Sequence, residues 1–158
     1  MMDDKTLNAL SSAIFVSRCT LSGEAVDTDD KRIRASGLYQ EWQEGEHAKG
    51  DIYNADGQTW ECYQAYDNAV YPDICPGESA WYTFNRPLHG TSPETARPFV
   101  PVQGAHDMYR AGEYMVWTDG TIQRCKEDTN FSPEEYPQAW EETAEARESG
   151  TEEAGEAK

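Results

Sequence analysis

Positive charge is what this sequence lacks most. Thirteen Lys and Arg face thirty Asp and Glu, for a formal charge of -17 over 158 residues. A surface of that sign repels phosphate backbones and anionic bilayers, so neither nucleic acid nor a membrane is expected as a partner. Long apolar runs are missing too: no stretch approaches the roughly 20 apolar residues that span a bilayer. The opening "MMDDKTLNALSSAIFVSRC" carries acids where a signal peptide needs bases. The expectation is a protein made in the cytoplasm, without signal peptide or transmembrane segment, that leaves a cell within a larger particle or by lysis.

Cysteine and histidine are also scarce. The four cysteines, Cys19, Cys62, Cys75 and Cys125, form no Cys-x-x-Cys pair, which excludes the usual structural zinc layout and leaves reduced thiols as the reading for a cytoplasmic chain. His47, His89 and His106 are scattered, and no Gly-x-Ser-x-Gly, His-Glu-x-x-His or helix-opening Gly-rich loop occurs. Thirty acids supply carboxylate pairs trivially, so they do not argue for a glycosidase. "DNAVYPD" and "EDTN" lack the spacing of a calcium loop. The reading is a non-enzyme with no cofactor and no metal.

Aromatic residues, by contrast, are plentiful: five Trp, nine Tyr and four Phe. Large rings bury much area per residue, which is how a short β-rich module can assemble a core. Residues 1–37 hold Leu7, Leu10, Ile14 and Leu21 at three-and-four spacing, with Ser17 in the remaining slot, and predict an amphipathic helix. That helix either packs on its own domain or joins copies of the chain as a coil. Residues 38–84 are strand-like, with Asp56-Gly57 as a hairpin signal between two extended runs. Residues 85–98, "NRPLHGTSPETARP", hold three prolines and a glycine and predict a linker. Residues 99–140 repeat 38–84 in outline. Residues 141–158 form an acidic tail with seven acids, two bases and no aromatic, too polar to fold alone.

The repeat rests on four landmarks in the same order. Gly50-Asp51, Asp56-Gly57, Cys62 and Ala80-Trp81 are answered by Gly112-Glu113, Asp119-Gly120, Cys125 and Ala139-Trp140. Chance supplies one such match easily and four in sequence poorly, so an internal duplication is the better account. The second copy has lost aromatic mass: Gln123 answers Trp60, and only the "FVPVQ" stretch stands opposite Trp42. Trp42, Trp60, Cys62, Cys125 and Trp140 are assigned to the module cores, where a thiol serves as a small hydrophobe.

The pattern "YQEWQEGEHAKGDIYNADGQTWECYQAY…AW" resembles the chitin-binding type 3 class of carbohydrate-binding module, in the tandem form of phage and prophage tail- or fibre-associated proteins. The resemblance covers about Leu7 to Trp140. It implies a mainly β chain: two small tandem three-stranded antiparallel β modules, a short helical N-terminal segment and an acidic C-terminal tail. It also implies sugar binding, because the axial C–H patch of a pyranose packs on a flat ring while its hydroxyls stay in water. Tyr66, Tyr71, Tyr82, Tyr63 and Trp81 are the candidate rings.

The expected function is that of a non-enzymatic virion protein of the tail or a fibre, binding host cell-surface polysaccharide by aromatic stacking. Its expected partners are that polysaccharide, other virion proteins and further copies of itself, with a trimer favoured by analogy to fibres. Two alternatives stand beside it: an assembly or decoration protein of the virion with no glycan, and an accessory binding subunit of a polysaccharide hydrolase.

Overall fold

The computed structural model describes residues 3–143; most of the predicted acidic tail lies outside them. The fold is mainly β with one main helix at the N-terminus, and it divides into two compact units, Met1–Leu88 and His89–Lys158. Among the described residues no helix is long and apolar enough to cross a membrane.

The first unit opens with helix α1 (Asp4–Ser22). Asp3 caps it by accepting from the Thr6 amide at 2.8 Å, a bond that also holds the Asp3 carboxyl below its usual pKa. Gly23, in the left-handed region at φ 75°, ends it. Thr28 caps the short α2 (Asp29–Arg34), which has two acids in its first turn and bases in its last, the order the helix dipole favours. The fully buried positions of α1 are small residues, Ser12 and Cys19. Ser12 is fully buried; its hydroxyl donates to the Arg34 carbonyl and accepts from the Gly37 amide, both at 2.9 Å. A Cβ on Gly37 would lie 2.5 Å from the Asn8 carbonyl oxygen and 2.7 Å from the Ala9 Cα. Only glycine lets the turn Ser36–Leu38 approach the helix this closely. The predicted apolar stripe therefore faces the other way, with Leu7 and Leu10 each 48%, Ile14 51% and Leu21 89% exposed.

The sheet of this unit joins β2 (Ile52–Ala55), β3 (Gln58–Cys62) and β5 (Asn85–Pro87) in that order, all antiparallel. Two further short strands, β1 (Glu46–His47) and β4 (Tyr66–Asp67), pair with each other. Asp56 and Gly57 turn β2 into β3 with φ of 56° and 75°, the left-handed pair that a two-residue hairpin requires. Trp60, on β3, is buried with its ring edge-on to Trp81, centroids 5.3 Å apart. Arg86 ties α2 to this sheet, donating to both Asp29 oxygens at 2.9 and 2.6 Å and to Glu61 at 2.9 Å. Burial works against its charge, and the two carboxylates outweigh that and raise its pKa.

The second unit is a four-stranded sheet of β6 (Arg97–Pro98), β7 (Tyr114–Val116), β8 (Ile122–Cys125) and β9 (Trp140–Glu142). The β6–β7 pair is parallel and the other two are antiparallel. Tyr109, Met115, Cys125, Ala139 and Trp140 form its buried cluster, with Phe99, Val102 and Trp117 packed against it. The Asp119-Gly120 turn sits in a longer β7–β8 connection in which Trp117 N donates to Thr121 O at 2.8 Å.

Two expectations are corrected here. The second module has four strands rather than three, and the stretch 85–98 is no free linker, since it supplies β5 to the first unit and β6 to the second. Its prolines misled because Pro lacks an amide donor, yet an edge strand tolerates that loss. Both strands are edges, and Pro87 and Pro98 end them.

Replacing Gly37 by Ala should force α1 away from its turn. Thermal denaturation should show a loss of about 1–3 kcal/mol, the range for overpacking, and limited proteolysis should release the N-terminal helix first. Wild-type stability in Gly37→Ala would show that the close approach is not required.

Candidate functional site

The two units close in the same way at the base of their hairpins. Gly50 N donates to Cys62 O and Gly112 N to Cys125 O, both at 2.8 Å; Cys62 N returns a bond to Asp51 O and Cys125 N to Glu113 O. The acid side chains also match: Asp51 accepts from the Ala48 amide and Glu113 from the Arg110 amide, each at 2.9 Å. Trp42 N donates to Asn54 O as Phe99 N donates to Val116 O. Three residues before each glycine stands a ring, His47 or Tyr109. Phe99 is thus the aromatic counterpart of Trp42, where the sequence reading saw only an aliphatic stretch.

The third strands correct the matched Ala-Trp landmarks. Cys62 pairs with Asn85 whereas Cys125 pairs with Trp140, so Asn85, not Trp81, occupies the position of Trp140. Asn85 is fully buried, and its side-chain oxygen accepts from the Tyr53 hydroxyl.

Rings in the first unit form a continuous ladder. His47 stacks between Trp42 at 5.6 Å and Tyr66 at 4.8 Å, Tyr66 stacks on Phe84 at 4.6 Å, and Tyr71 leans on Phe84 at 5.0 Å. The Trp42 indole donates to the Tyr66 hydroxyl at 2.9 Å. In the second unit Tyr109 stacks on Phe99 at 5.3 Å, and its other stacking partner is His89 at 3.9 Å. The His89 ring is held against Glu113 at 2.9 Å.

The ladder settles which predicted rings a ligand can reach. Tyr66 and Trp81 are 6% and 7% exposed, so both are corrected from candidate platforms to core: Tyr66 is stacked on both sides, and Trp81 meets Trp60 and Tyr82 edge to face. Tyr71 and Tyr82 are exposed, and Tyr63 is half-buried with its hydroxyl bonded to the Tyr82 carbonyl. The structure brings Tyr63, Trp81 and Tyr82 together at one place and Tyr66 and Tyr71 at another, through Phe84. Trp60, Cys62, Cys125 and Trp140 are buried, whereas Trp42 is only half-buried.

Trp42 instead borders an open hollow of about 430 Å³, with Tyr39, Glu41, Glu46, His47 and Asp51 also on its walls. A second hollow of about 460 Å³ shares Glu46, His47 and Asp51 with it and reaches Tyr66 and Asp67. No Lys or Arg lines either one. The Tyr39 phenol on this wall is a hydroxyl donor beside the carboxylates of Glu41, Glu46 and Asp51 and the amides of Gln40 and Gln43; desolvation raises its pKa against the pull of Arg32. Sequence reasoning missed His47 as a member of the site. The usable signal was the ring three residues before Gly50, repeated before Gly112. In the second unit the exposed rings are Phe131 and Tyr136, edge to face at 6.4 Å.

Three of the four thiols are shifted by burial toward the protonated form. All four cysteines are free. Burial pushes the Cys62 and Cys75 thiols up and that of Cys125 up to about 11. The sulfurs of Cys62 and Cys125 act as donors, to Gln64 O at 3.2 Å and Glu127 O at 3.0 Å. Among the described residues no group of three His, Cys, Asp or Glu side chains is placed to hold a metal ion. No protein-family model matches the chain, and no curated protein matches it.

The raised Cys125 pKa makes stability pH-dependent. An unfolded thiol ionises near 9.0, whereas the folded one holds its proton until about 11, so stability is intact below pH 9 and is lost as pH rises through 11. Buried Tyr53 and Tyr109, whose phenols are also pushed up by burial, act in the same direction. Under reducing conditions the melting temperature should fall from pH 9 to 11, and Cys125→Ala should give a shallower fall. Parallel slopes would rule out Cys125 as a contributor.

Proposed function

We propose that this chain is a non-enzymatic carbohydrate-binding protein built from one module present twice, and that it attaches a phage or prophage particle to neutral polysaccharide on a host cell. The shared part of the module is a three-stranded antiparallel sheet, β2-β3-β5 in one unit and β7-β8-β9 in the other. The observation that carries the binding reading is the hollow beside Trp42. A half-buried indole edged by phenol, amide and carboxylate groups offers an apolar face for sugar C–H groups and partners for sugar hydroxyls. Its acidic walls disfavour anionic polymers. The virion placement is supported by the family resemblance of residues 7–140.

A single stacking contact contributes about 1 kcal/mol, so one module alone should bind in the millimolar range and several copies are needed for firm attachment. A second reading, an assembly or decoration protein that binds no glycan, is favoured by the burial of Tyr66 and Trp81 among other rings.

Retention of the full chain on insoluble chitin and on purified host cell wall tests the two. Trp42→Ala should lower retention about fivefold, as should the rim pair Glu41→Gln with Glu46→Gln, while Phe131→Ala in the second unit should change it little. Near-UV circular dichroism checks that each variant is folded. No retention of the wild type on any neutral polysaccharide would favour the assembly reading, and unchanged retention in a folded Trp42→Ala would move the site elsewhere.

A further inference from the structure

We infer that the outward stripe of α1 is covered in solution by the α1 of another copy of this chain. The helix is amphipathic, as its spacing predicts, but its aliphatic stripe faces outward. Ser12 and Cys19, with half-buried Ala9, Phe15 and Val16, face its own unit, while Leu7, Leu10, Ile14 and Leu21 face solvent. Hydrophobic residues that merely failed to find a core would be scattered. These fall at 7, 10, 14 and 21, with Ser17 completing a three-four-three-four series over two heptads. That is the period a second helix of the same kind presents, so knobs of one copy meet holes of the other.

Charge agrees with a second copy as the partner. Residues 3–22 carry two acids, Asp3 and Asp4, and two bases, Lys5 and Arg18, and so are neutral, in a chain whose total is -17. Two copies of so acidic a protein repel each other over most of their surfaces, and α1 is a place where they meet without that repulsion. Size agrees. Four half-exposed or fully exposed aliphatic side chains present apolar surface on the order of a few hundred Å², the scale at which a patch on a soluble protein is an interaction site. A shallow groove along the stripe, lined by Ala13, Ile14, Ser17, Arg18 and Leu21, adds the small side chains that let helices approach and the apolar stem of Arg18.

Sedimentation of the full chain at about 10–100 µM, where a micromolar interface is filled, should give a dimer or larger. Leu10→Glu with Ile14→Glu, both at exposed positions, should give a folded monomer. A monomeric wild type, or a folded double variant that sediments like the wild type, would overturn the inference. Should the double variant misfold, Ser17→Cys decides: mild oxidation should yield a disulfide-linked dimer well above the level from Lys5→Cys, which lies off the stripe, and equal yields would overturn it. A monomeric chain that binds neutral phosphatidylcholine vesicles would assign the stripe to a lipid surface and overturn it too.

Discussion

Each unit depends on a pair of backbone hydrogen bonds that lock a glycine amide to a cysteine carbonyl and return the cysteine amide to the residue after that glycine. The glycines have φ of 97° and 95°, a region other residues rarely adopt, so the chain can enter the hairpin at this angle in few sequences. Everything near it follows. The acid at the next position folds its carboxylate back onto an amide, the cysteine is driven inward as a protonated donor, and the ring three residues upstream is delivered to a stack.

Stacked rings are how units this small keep a fold. A short sheet buries little apolar area, and a domain of this size exposes a large share of its surface, so wide flat side chains in contact with one another replace a deep aliphatic core. The same device limits function. A ring used on both faces to hold the fold has no face left for a ligand, and only a ring at the end of a ladder, as Trp42 is, offers one. The acids lie mostly outside this scheme, with Asp107 as a buried exception that accepts from the Gln103 and Gly104 amides.

The first hairpin was legible because Asp56-Gly57 adopts the left-handed pair that a two-residue turn requires, whereas at Asp119-Gly120 only the glycine does and the connection is longer. Cys62 and Cys125 were legible as a matched pair, since alternation along a strand sends both inward. The strands within 85–98 were not legible, because prolines read locally as breaks while pairing at a sheet edge is decided by a partner far along the chain. Exposure of individual rings was legible least. Tyr66 and Tyr71 look alike in sequence and both touch Phe84, but Tyr66 is also covered by His47 and bonded by Trp42, contacts set by strand pairing that the sequence does not state. The spacing on α1 was plain from the start, but its direction was not: Gly37 and Ser12 turn the other face inward.

The exchange of Asn85 for Trp140 opposite the matched cysteines makes the two units different in kind. In one, the third strand brings an amide that takes up the hydroxyl of Tyr53; in the other it brings an indole that lies beside Met115 and Tyr109. The units share a hydrogen-bonding frame and have incompatible interiors. They are no longer interchangeable parts: a third strand moved from one to the other would either strand a phenol beside an indole or set a lone amide among apolar groups. Mismatched interiors of this kind disfavour exchange of third strands between the two units, a hazard that identical modules in one chain would face during folding.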